Sequence, residues 1–210
     1  MENMRPWSFA RVRTGAIIFL FGVLCCGVAR AQVEGKGAEP AWSKGPADAR
    51  VVLEIFNDYQ CPPCGAFNPE LNRVLYAFPR DVRVIYRNLP LRIHKFALPA
   101  ARAAEAAGLQ GRFLQMKELL LARQAEWAVS ADPDRLFRRY ARWLKLDRTK
   151  FRRDLASPGV PDRIEADKRR GDALDMNGTP TLFMNGKIIT FEDTNFDRLS
   201  VMIREELKRE

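Results

Sequence analysis

The stretch VVLEIFNDYQCPPCG, residues 51–65, decides the fold of this chain. Its first six residues form a short apolar run rich in β-branched side chains, and such a run predicts a buried strand. Its second half contains two cysteines separated by two prolines. After them, apolar side chains recur at helical spacing at Phe67, Leu71, Leu75 and Phe78. The stretch therefore predicts a strand, a tight turn and a helix whose N-terminus lies at the first cysteine.

A cysteine at the start of a helix has a chemical advantage. The thiolate is the reactive form, and a free thiol with a pKa near ~8.5 is mostly protonated at neutral pH. The helix dipole and the unpaired first-turn amides lower that pKa for Cys61. Cys64, one turn further on, can attack a mixed disulfide formed on Cys61 and release the attached molecule.

The next elements follow from the same kind of pattern. The helix can begin with Pro62 and Pro63, because first-turn amides have no helical partner to lose, and we expect it to end before Pro79. Residues 82–86 predict a second strand. A strand–helix–strand unit of this length implies a right-handed crossover and parallel pairing. Helical periodicity then dominates residues 95–177.

Strand character returns in the C-terminal part. Residues 181–184 and 187–191 predict two strands joined by a hairpin turn at Asn185-Gly186, and a helix is expected from Phe196 to Leu207. This order indicates an α/β fold interrupted by a helical insertion. The predicted boundaries are a signal peptide at 1–31, a flexible lead-in at 32–48, an α/β domain formed by 49–94 and 178–210, and an insertion at 95–177.

Composition places the chain among globular proteins. It has 210 residues, of which 47% are hydrophobic and 29% are charged, and its formal net charge is +9. This length suffices for one domain with a proper core. The basic residues are interspersed with acidic ones, which is typical of solvated helix faces and disfavours nucleic-acid binding.

The N-terminal thirty residues are typical of a targeting segment. An uncharged, mostly apolar run spans residues 15–29, and a small-x-small cleavage site ends at Ala31. The basic residues before the run are Arg5, Arg11 and Arg13. The alternative is an uncleaved membrane anchor, although the run is shorter than the ~20 residues that a spanning helix needs. We therefore expect a periplasmic or otherwise extracytoplasmic protein.

Cleavage after Ala31 changes the cysteine count. The chain has four cysteines, of which Cys25 and Cys26 would be removed and Cys61 and Cys64 would remain. An exported protein with one close cysteine pair has no disulfide framework. The remaining pair is therefore expected to be reactive.

Three features together resemble the DsbA-like branch of the thioredoxin fold. They are Asp58-Tyr59-Gln60-Cys61 after a strand, Gly178-Thr179-Pro180-Thr181 before a hairpin, and a helical insertion between the two halves. The resemblance covers residues 49–210. It implies a thioredoxin fold with an inserted α-helical subdomain and the activity of a protein thiol–disulfide oxidoreductase.

The resemblance also implies roles for individual residues. Cys61 would be the exposed nucleophile and Cys64 the buried resolving thiol of a redox-active disulfide. Thr179-Pro180 would be a cis peptide beside them, with the Thr179 backbone offered to substrate. It further implies client proteins with thiols or disulfides and a membrane redox partner, and the chemistry requires no cofactor. The short lead-in favours a monomer, because a dimeric isomerase usually carries a separate dimerisation module.

Glu54 and Pro63 carry two further expectations. Glu54 lies on an otherwise apolar strand, where burial would raise its pKa and let it accept the proton of Cys64 as that thiol attacks. The alternative is that Glu54 points outward at the sheet edge. Strongly oxidising members of the family have a histidine where this chain has Pro63. A proline offers neither an amide nor an imidazole to the thiolate, so we expect a weaker oxidant.

Other uses of the cysteine pair remain open. Zinc prefers four ligands, and only two cysteines and His94 would remain after cleavage. Cu(I) can be held by two thiolates, so a copper chaperone is the competing function. A purely structural disulfide would close too short a loop to stabilise the chain much. His94 is interpreted as structural, because thiol chemistry does not require it.

Overall fold

The computed structural model describes Met1 and residues 36–209. Apart from Met1, the predicted signal peptide with its cleavage site at Ala31 therefore lies outside the described residues. Within the described part of the chain, every helix is too short or too polar to span a membrane.

A five-stranded mixed sheet forms the centre of the fold, with the strand order β1-β3-β2-β4-β5. β2 and β3 are parallel, whereas the pairs β1–β3, β2–β4 and β4–β5 are antiparallel. The strands are β1 (Trp42–Lys44), β2 (Val51–Asn57), β3 (Val82–Asn88), β4 (Thr181–Met184) and β5 (Lys187–Ile189). The predicted parallel unit and the predicted hairpin are both confirmed.

Eight α-helices surround the sheet in the described chain. They are α1 (Pro62–Ala77), α2 (Ala97–Gly108), α3 (Phe113–Ala122), α4 (Gln124–Trp127), α5 (Pro133–Trp143), α6 (Arg148–Leu155), α7 (Gly159–Ala173) and α8 (Phe196–Lys208). Helices α2 to α7 all lie between β3 and β4, so the α/β fold with a helical insertion is confirmed. Asp132 and Asp147 cap α5 and α6 by accepting backbone N–H bonds, which fixes where these two helices begin.

The predicted second strand of the hairpin is too long. Asn185 and Gly186 have φ values of 47° and 79°, as a tight hairpin turn requires, but β5 stops at Ile189. Residues Phe191–Asp193 form a 3₁₀ turn instead. The Phe191 side chain is largely exposed, so no burial holds it in the sheet.

The described part of the predicted flexible lead-in, residues 36–48, contains a strand that the sequence patterns did not predict. Strand β1 pairs with β3 and extends the sheet by one strand. The Trp42 ring stacks on Phe113 at a centroid distance of 5.1 Å, and its indole N–H donates to Glu105 at 2.9 Å. A Cβ atom added at Gly108 would lie 2.4 Å from the Trp42 ring, so a glycine is needed at that contact. Tertiary packing orders a segment whose composition suggests a loop.

The two faces of β2 contact different groups of residues. Leu53 and Ile55 share the main hydrophobic core with Cys64 of α1 and with α8. Phe56 belongs to a smaller cluster with Leu89 and Phe183, on which the end of α7 packs. Because strand side chains alternate between faces, Glu54 lies on the same face as Phe56.

Candidate active site

Cys61 is the N-cap residue of α1, as the position of the two prolines predicts. Its carbonyl oxygen accepts hydrogen bonds from the amides of Cys64 and Gly65, at 3.1 and 3.3 Å. Pro62 and Pro63 have no N–H group, so the first amide of the helix that can reach the Cys61 sulfur is that of Cys64. Both cysteines are free thiols and both are buried, Cys61 to 5% exposure and Cys64 completely.

The two thiols differ in acidity. A hydrogen bond from the Cys64 side chain, helped by the Cys64 amide, lowers the pKa of Cys61 to about 6. Burial raises the pKa of Cys64 well above its usual value, and the neighbouring Cys61 sulfur raises it further. At neutral pH the arrangement therefore favours a thiolate on Cys61 and a proton on Cys64.

The segment before β4 lies against the nucleophilic sulfur. The Thr179–Pro180 peptide bond is cis, and the Cys61 thiol donates to the Thr179 carbonyl oxygen at 3.1 Å. The Thr181 hydroxyl donates to the carbonyl of Gly178 at 2.7 Å, and this bond closes the turn that contains Thr179. The structure therefore brings together Cys61, Cys64 and the Thr179–Pro180 peptide, although Cys61 and Thr179 are 118 residues apart in the sequence.

Glu54 does not have the predicted environment. It is buried, but it accepts hydrogen bonds from Arg87 at 2.8 Å and from Arg170 at 2.6 and 2.7 Å. Burial alone would raise its pKa, yet the two guanidinium groups outweigh burial and hold the pKa below its usual value. The predicted raised pKa is therefore wrong. Glu54 also lies on the face of β2 opposite to Leu53 and Ile55, which pack with Cys64.

Asp58 is the carboxylate that lies beside the thiols. It is 1% exposed and accepts hydrogen bonds from the amides of Gln60 and Leu91, at 2.7 and 2.9 Å. Its charge raises the pKa of Cys61, whereas its backbone amide donates to the Cys64 sulfur. Nδ1 of His94 lies 2.6 Å from its Oδ2. Asp58 belongs to the cysteine motif, but no sequence pattern indicated a role for it, and His94 was interpreted as structural.

Two glutamines fix the backbone of the motif. The Gln124 side chain, at the start of α4, donates to the carbonyls of Tyr59 and Cys61 at 2.7 and 2.8 Å. The Gln60 side chain accepts from the amide of Phe96 at 2.6 Å. A Cβ at Gly65 would lie 3.2 Å from the Gln124 side chain, so the two segments approach closely. The helical insertion thus contributes directly to the site, a contact that no sequence pattern indicated.

The buried acids with a raised pKa are Glu105 and Asp167, not Glu54. Burial raises the pKa of both despite partners that favour the charged form. Glu105 accepts from Trp42, Asn88 and Arg163, and Asp167 accepts from the amide of Ala38 and from Arg87. The signal for Glu105 was its helical spacing from the buried alanines of α2.

Tyr59 lies close both to Cys64 and to these acids. It is 2% exposed, and burial raises the pKa of its hydroxyl well above the usual value, with Glu105, Asp167 and Cys64 adding to the effect. Among residues 36–209, no three His, Cys, Asp or Glu side chains are grouped so that they could hold a metal ion.

Comparison with known proteins places this geometry in a family. The thioredoxin family model matches residues 38–205. BdbD of Bacillus subtilis in its oxidised form superposes with a TM-score of 0.72 at 25% identity, over 83% of this chain and 98% of that one. A thioredoxin-like oxidoreductase of Silicibacter pomeroyi DSS-3 superposes with a TM-score of 0.68 at 26% identity, over 81% of this chain and 94% of that one.

The curated relatives are much longer proteins. A protein of Salinispora arenicola named Na(+)/H(+) antiporter NhaA 1 is 41% identical over 145 residues, which is 69% of this chain and 21% of that protein. A corresponding protein of Mycolicibacterium gilvum is 38% identical over 149 residues. The chain spans about a fifth of the length of the curated relatives that it matches.

Proposed function

This chain belongs to the thioredoxin family, among the DsbA-like thiol–disulfide oxidoreductases, and we propose that it forms, isomerises or reduces disulfides in client proteins outside the cytoplasm. Cys61 and Cys64 are the proposed redox pair. The proposal is supported above all by one observation: two adjacent thiols whose pKa values are shifted in opposite directions. Such a division of roles is what a nucleophile and a resolving thiol need.

In the oxidising direction a client thiolate attacks the sulfur of Cys61 in the Cys61–Cys64 disulfide. The bond between the two enzyme sulfurs breaks, a client–Cys61 disulfide forms, and Cys64 leaves as a thiolate that takes up a proton. A second client thiolate then attacks the client sulfur of the mixed disulfide and releases the Cys61 thiolate. Two electrons pass from the client dithiol to the enzyme, and the Cys64 proton stays on the thiol whose pKa is raised.

In the reducing or isomerising direction the same atoms act in reverse. The Cys61 thiolate attacks a client disulfide, and Cys64 must lose its proton before it can free the enzyme. The backbone amide of Asp58 donates to the Cys64 sulfur and favours its thiolate, so we propose that Asp58, rather than Glu54, assists the deprotonation of Cys64. We assign the Thr179 backbone to client pairing, because its carbonyl oxygen lies 3.1 Å from the Cys61 sulfur, where a client chain attached to that sulfur would run.

His94 is proposed to act through Asp58. The negative charge of Asp58 opposes a thiolate on Cys61. His94 Nδ1, 2.6 Å from Oδ2, donates to that carboxylate and offsets part of its charge. His94 is thus a positioning residue that adjusts the acidity of the nucleophile from a distance.

The setting of the reaction is also part of the proposal. Export with cleavage near Ala31, a monomeric state and reoxidation by a membrane partner all rest on the sequence patterns described above. Pro63 supports a weaker oxidant than members with a histidine at this position, since only the Cys64 amide of the first turn reaches the Cys61 sulfur.

The decisive experiment is the equilibrium reduction potential of Cys61–Cys64 in glutathione buffers, measured on protein that starts at Gln32. A reversible two-electron couple at or below about −200 mV supports isomerase or reductase work, and one near about −120 to −150 mV supports disulfide donation but contradicts the Pro63 argument. The absence of any reversible couple would overturn the proposed function.

A copper titration distinguishes the proposed oxidoreductase from the competing function, a copper chaperone. Cu(I) is added in the presence of a dithiol competitor, to the natural chain and to Cys64→Ser. The oxidoreductase proposal expects the competitor to remove the copper easily from both proteins. Retention by the natural chain alone, against an excess of competitor, would favour a copper chaperone.

A further inference from the structure

A cavity of about 510 Å³ lies on the helical insertion, between α5 and α6, and arginine dominates its lining. The arginines are Arg135, Arg138, Arg139 and Arg142 of α5 and Arg148 and Arg152 of α6. The other lining residues are Leu136, Ala141 and Phe151, of which the last two are each 1% exposed. Among the described residues that line the cavity, none is acidic.

Helical spacing explains why so many arginines meet here. Positions 135, 138, 139 and 142 are three, four and seven residues apart and so fall on one face of α5. Positions 148 and 152 are four apart and share a face of α6. The two helices turn these faces toward the same cavity, with Ala141 and Phe151 as an apolar floor. An ordinary solvated face instead mixes charges of both signs.

The positive charge in this cavity is only partly balanced. Arg139 bonds Glu126, and Arg138 lies 3.8 Å from Asp132. For the other four arginines no ion pair is found within residues 36–209. Elsewhere in the fold the arginines that converge are matched by carboxylates, as Arg87 is by Glu54 and Asp167. Converging like charges raise the free energy of the unliganded protein, and a multivalent anion would lower it.

We propose that this cavity is a binding site for a compact ligand with several negative charges, of the phosphate-ester class. A guanidinium group presents two parallel N–H donors that match the oxygens of a phosphate. The volume lies within the range of small-molecule sites, and the floor of Ala141 and Phe151 accepts an apolar portion of the ligand. The site is separate from the thiols and does not depend on the redox function.

The test uses the full chain in its reduced form and inorganic tripolyphosphate as the probe. Isothermal titration calorimetry should give saturable binding with one ligand per chain. The double variant Arg142→Gln/Arg148→Gln removes one arginine from each helix and should weaken binding about tenfold or more, because two bidentate contacts are lost. Circular dichroism melts check that the fold is kept.

The matched control is Arg153→Gln/Arg169→Gln. Both side chains are exposed and outside the cavity lining, and the change in net charge is the same. The control should bind tripolyphosphate with nearly natural affinity. No saturable binding to the natural chain, or an equal loss in the two double variants, would overturn the proposal, because either result means diffuse attraction to a basic surface.

A second arm distinguishes the source of the phosphate. Co-sedimentation is measured with phosphatidylcholine vesicles that contain or lack phosphatidylglycerol. Binding to the anionic vesicles that is lost in Arg142→Gln/Arg148→Gln and displaced by tripolyphosphate supports a lipid headgroup. Saturable tripolyphosphate binding without vesicle binding supports a soluble ligand.

Discussion

On one face of β2 lies Cys64, packed with Leu53 and Ile55, and on the other lies Glu54, held by Arg87 and Arg170. The second face carries fully formed ion pairs that join the sheet to α7. The first face carries the two thiols and Tyr59, and beside them lies Asp58, the carboxylate whose charge raises the pKa of Cys61 and whose side-chain partner is His94. The difference teaches that the carboxylate on one face is bound by two guanidinium groups and holds the fold, whereas the carboxylate beside the thiols on the other face opposes the thiolate on Cys61.

The comparison predicts that the chemistry belongs to the thiol face alone. Replacing Cys61 with serine should reduce the rate of thiol–disulfide exchange to the uncatalysed rate, because the nucleophile is lost. The matched variant Cys64→Ser should still attack, and should accumulate mixed disulfides on Cys61 because the resolving thiol is gone. Insulin reduction and mass spectrometry of trapped adducts measure both outcomes. Residual turnover in Cys61→Ser would contradict the assignment.

The opposite face should govern stability without governing acidity. Arg87→Met leaves Asp167 without its guanidinium partner and Glu54 with only Arg170, and it should lower the free energy of unfolding by about 3–5 kcal/mol. The exposed pair Arg73–Glu70 provides the control, and Arg73→Met should cost less than about 1 kcal/mol. Urea unfolding gives these values. A changed Cys61 pKa in Arg87→Met would break the comparison.

The acidity of Cys61 should follow its contact with Cys64. Alkylation of the reduced protein should have a midpoint near pH 6, since hydrogen bonding from Cys64 lowers the pKa of Cys61 to about 6. In Cys64→Ala the midpoint should rise, because the largest stabilising contact is lost. Iodoacetamide rates across the pH range measure it. An unchanged midpoint would mean that the helix N-terminus acts alone.

The same shift fixes the direction of a stability effect. The folded pKa of Cys61 is lower than that of a free thiol, so ionisation stabilises the reduced fold. This contribution is complete above the unfolded pKa of ~8.5 and is lost as the pH falls through about 6. The check is the free energy of unfolding of the reduced protein minus that of Cys61→Ala, measured below pH 6 and above pH ~8.5. This difference should be larger at the higher pH.

The smallest effect is expected at Asp58, the carboxylate beside the thiols. Asp58→Asn should lower the alkylation midpoint of Cys61, because a negative charge is removed, and His94→Asn should raise it, because that charge is less offset. Each shift should be below about one pH unit. Shifts of the alkylation midpoint in opposite directions would support a role of Asp58 and His94 in setting the pKa of Cys61. A merely structural pair would change the unfolding midpoint and leave both alkylation profiles unchanged.

Local patterns were enough to predict the elements that present Cys61, Cys64 and the Thr179–Pro180 peptide. They could not predict which side chains pair across the fold. Glu54 pairs with Arg87, which is 33 residues away in the sequence, and with Arg170, which is 116 residues away. Local periodicity carries no information about such distant pairs. The raised pKa expected from burial alone failed for this reason. Strand β1 was not predicted because it has only three residues and follows a glycine- and proline-rich segment. Three residues are too few to show the alternation of apolar and polar side chains that indicates a strand.

Gln124 has a consequence for protein engineering. Its side chain holds the carbonyls of Tyr59 and Cys61, although it comes from the helical insertion. The insertion therefore cannot be exchanged freely, because a graft that lacks this amide removes one hydrogen-bond donor from each of the Tyr59 and Cys61 carbonyls. A chimera that exchanges residues 95–177 should keep a glutamine at this point of contact, opposite Gly65, if its nucleophile is to stay in place.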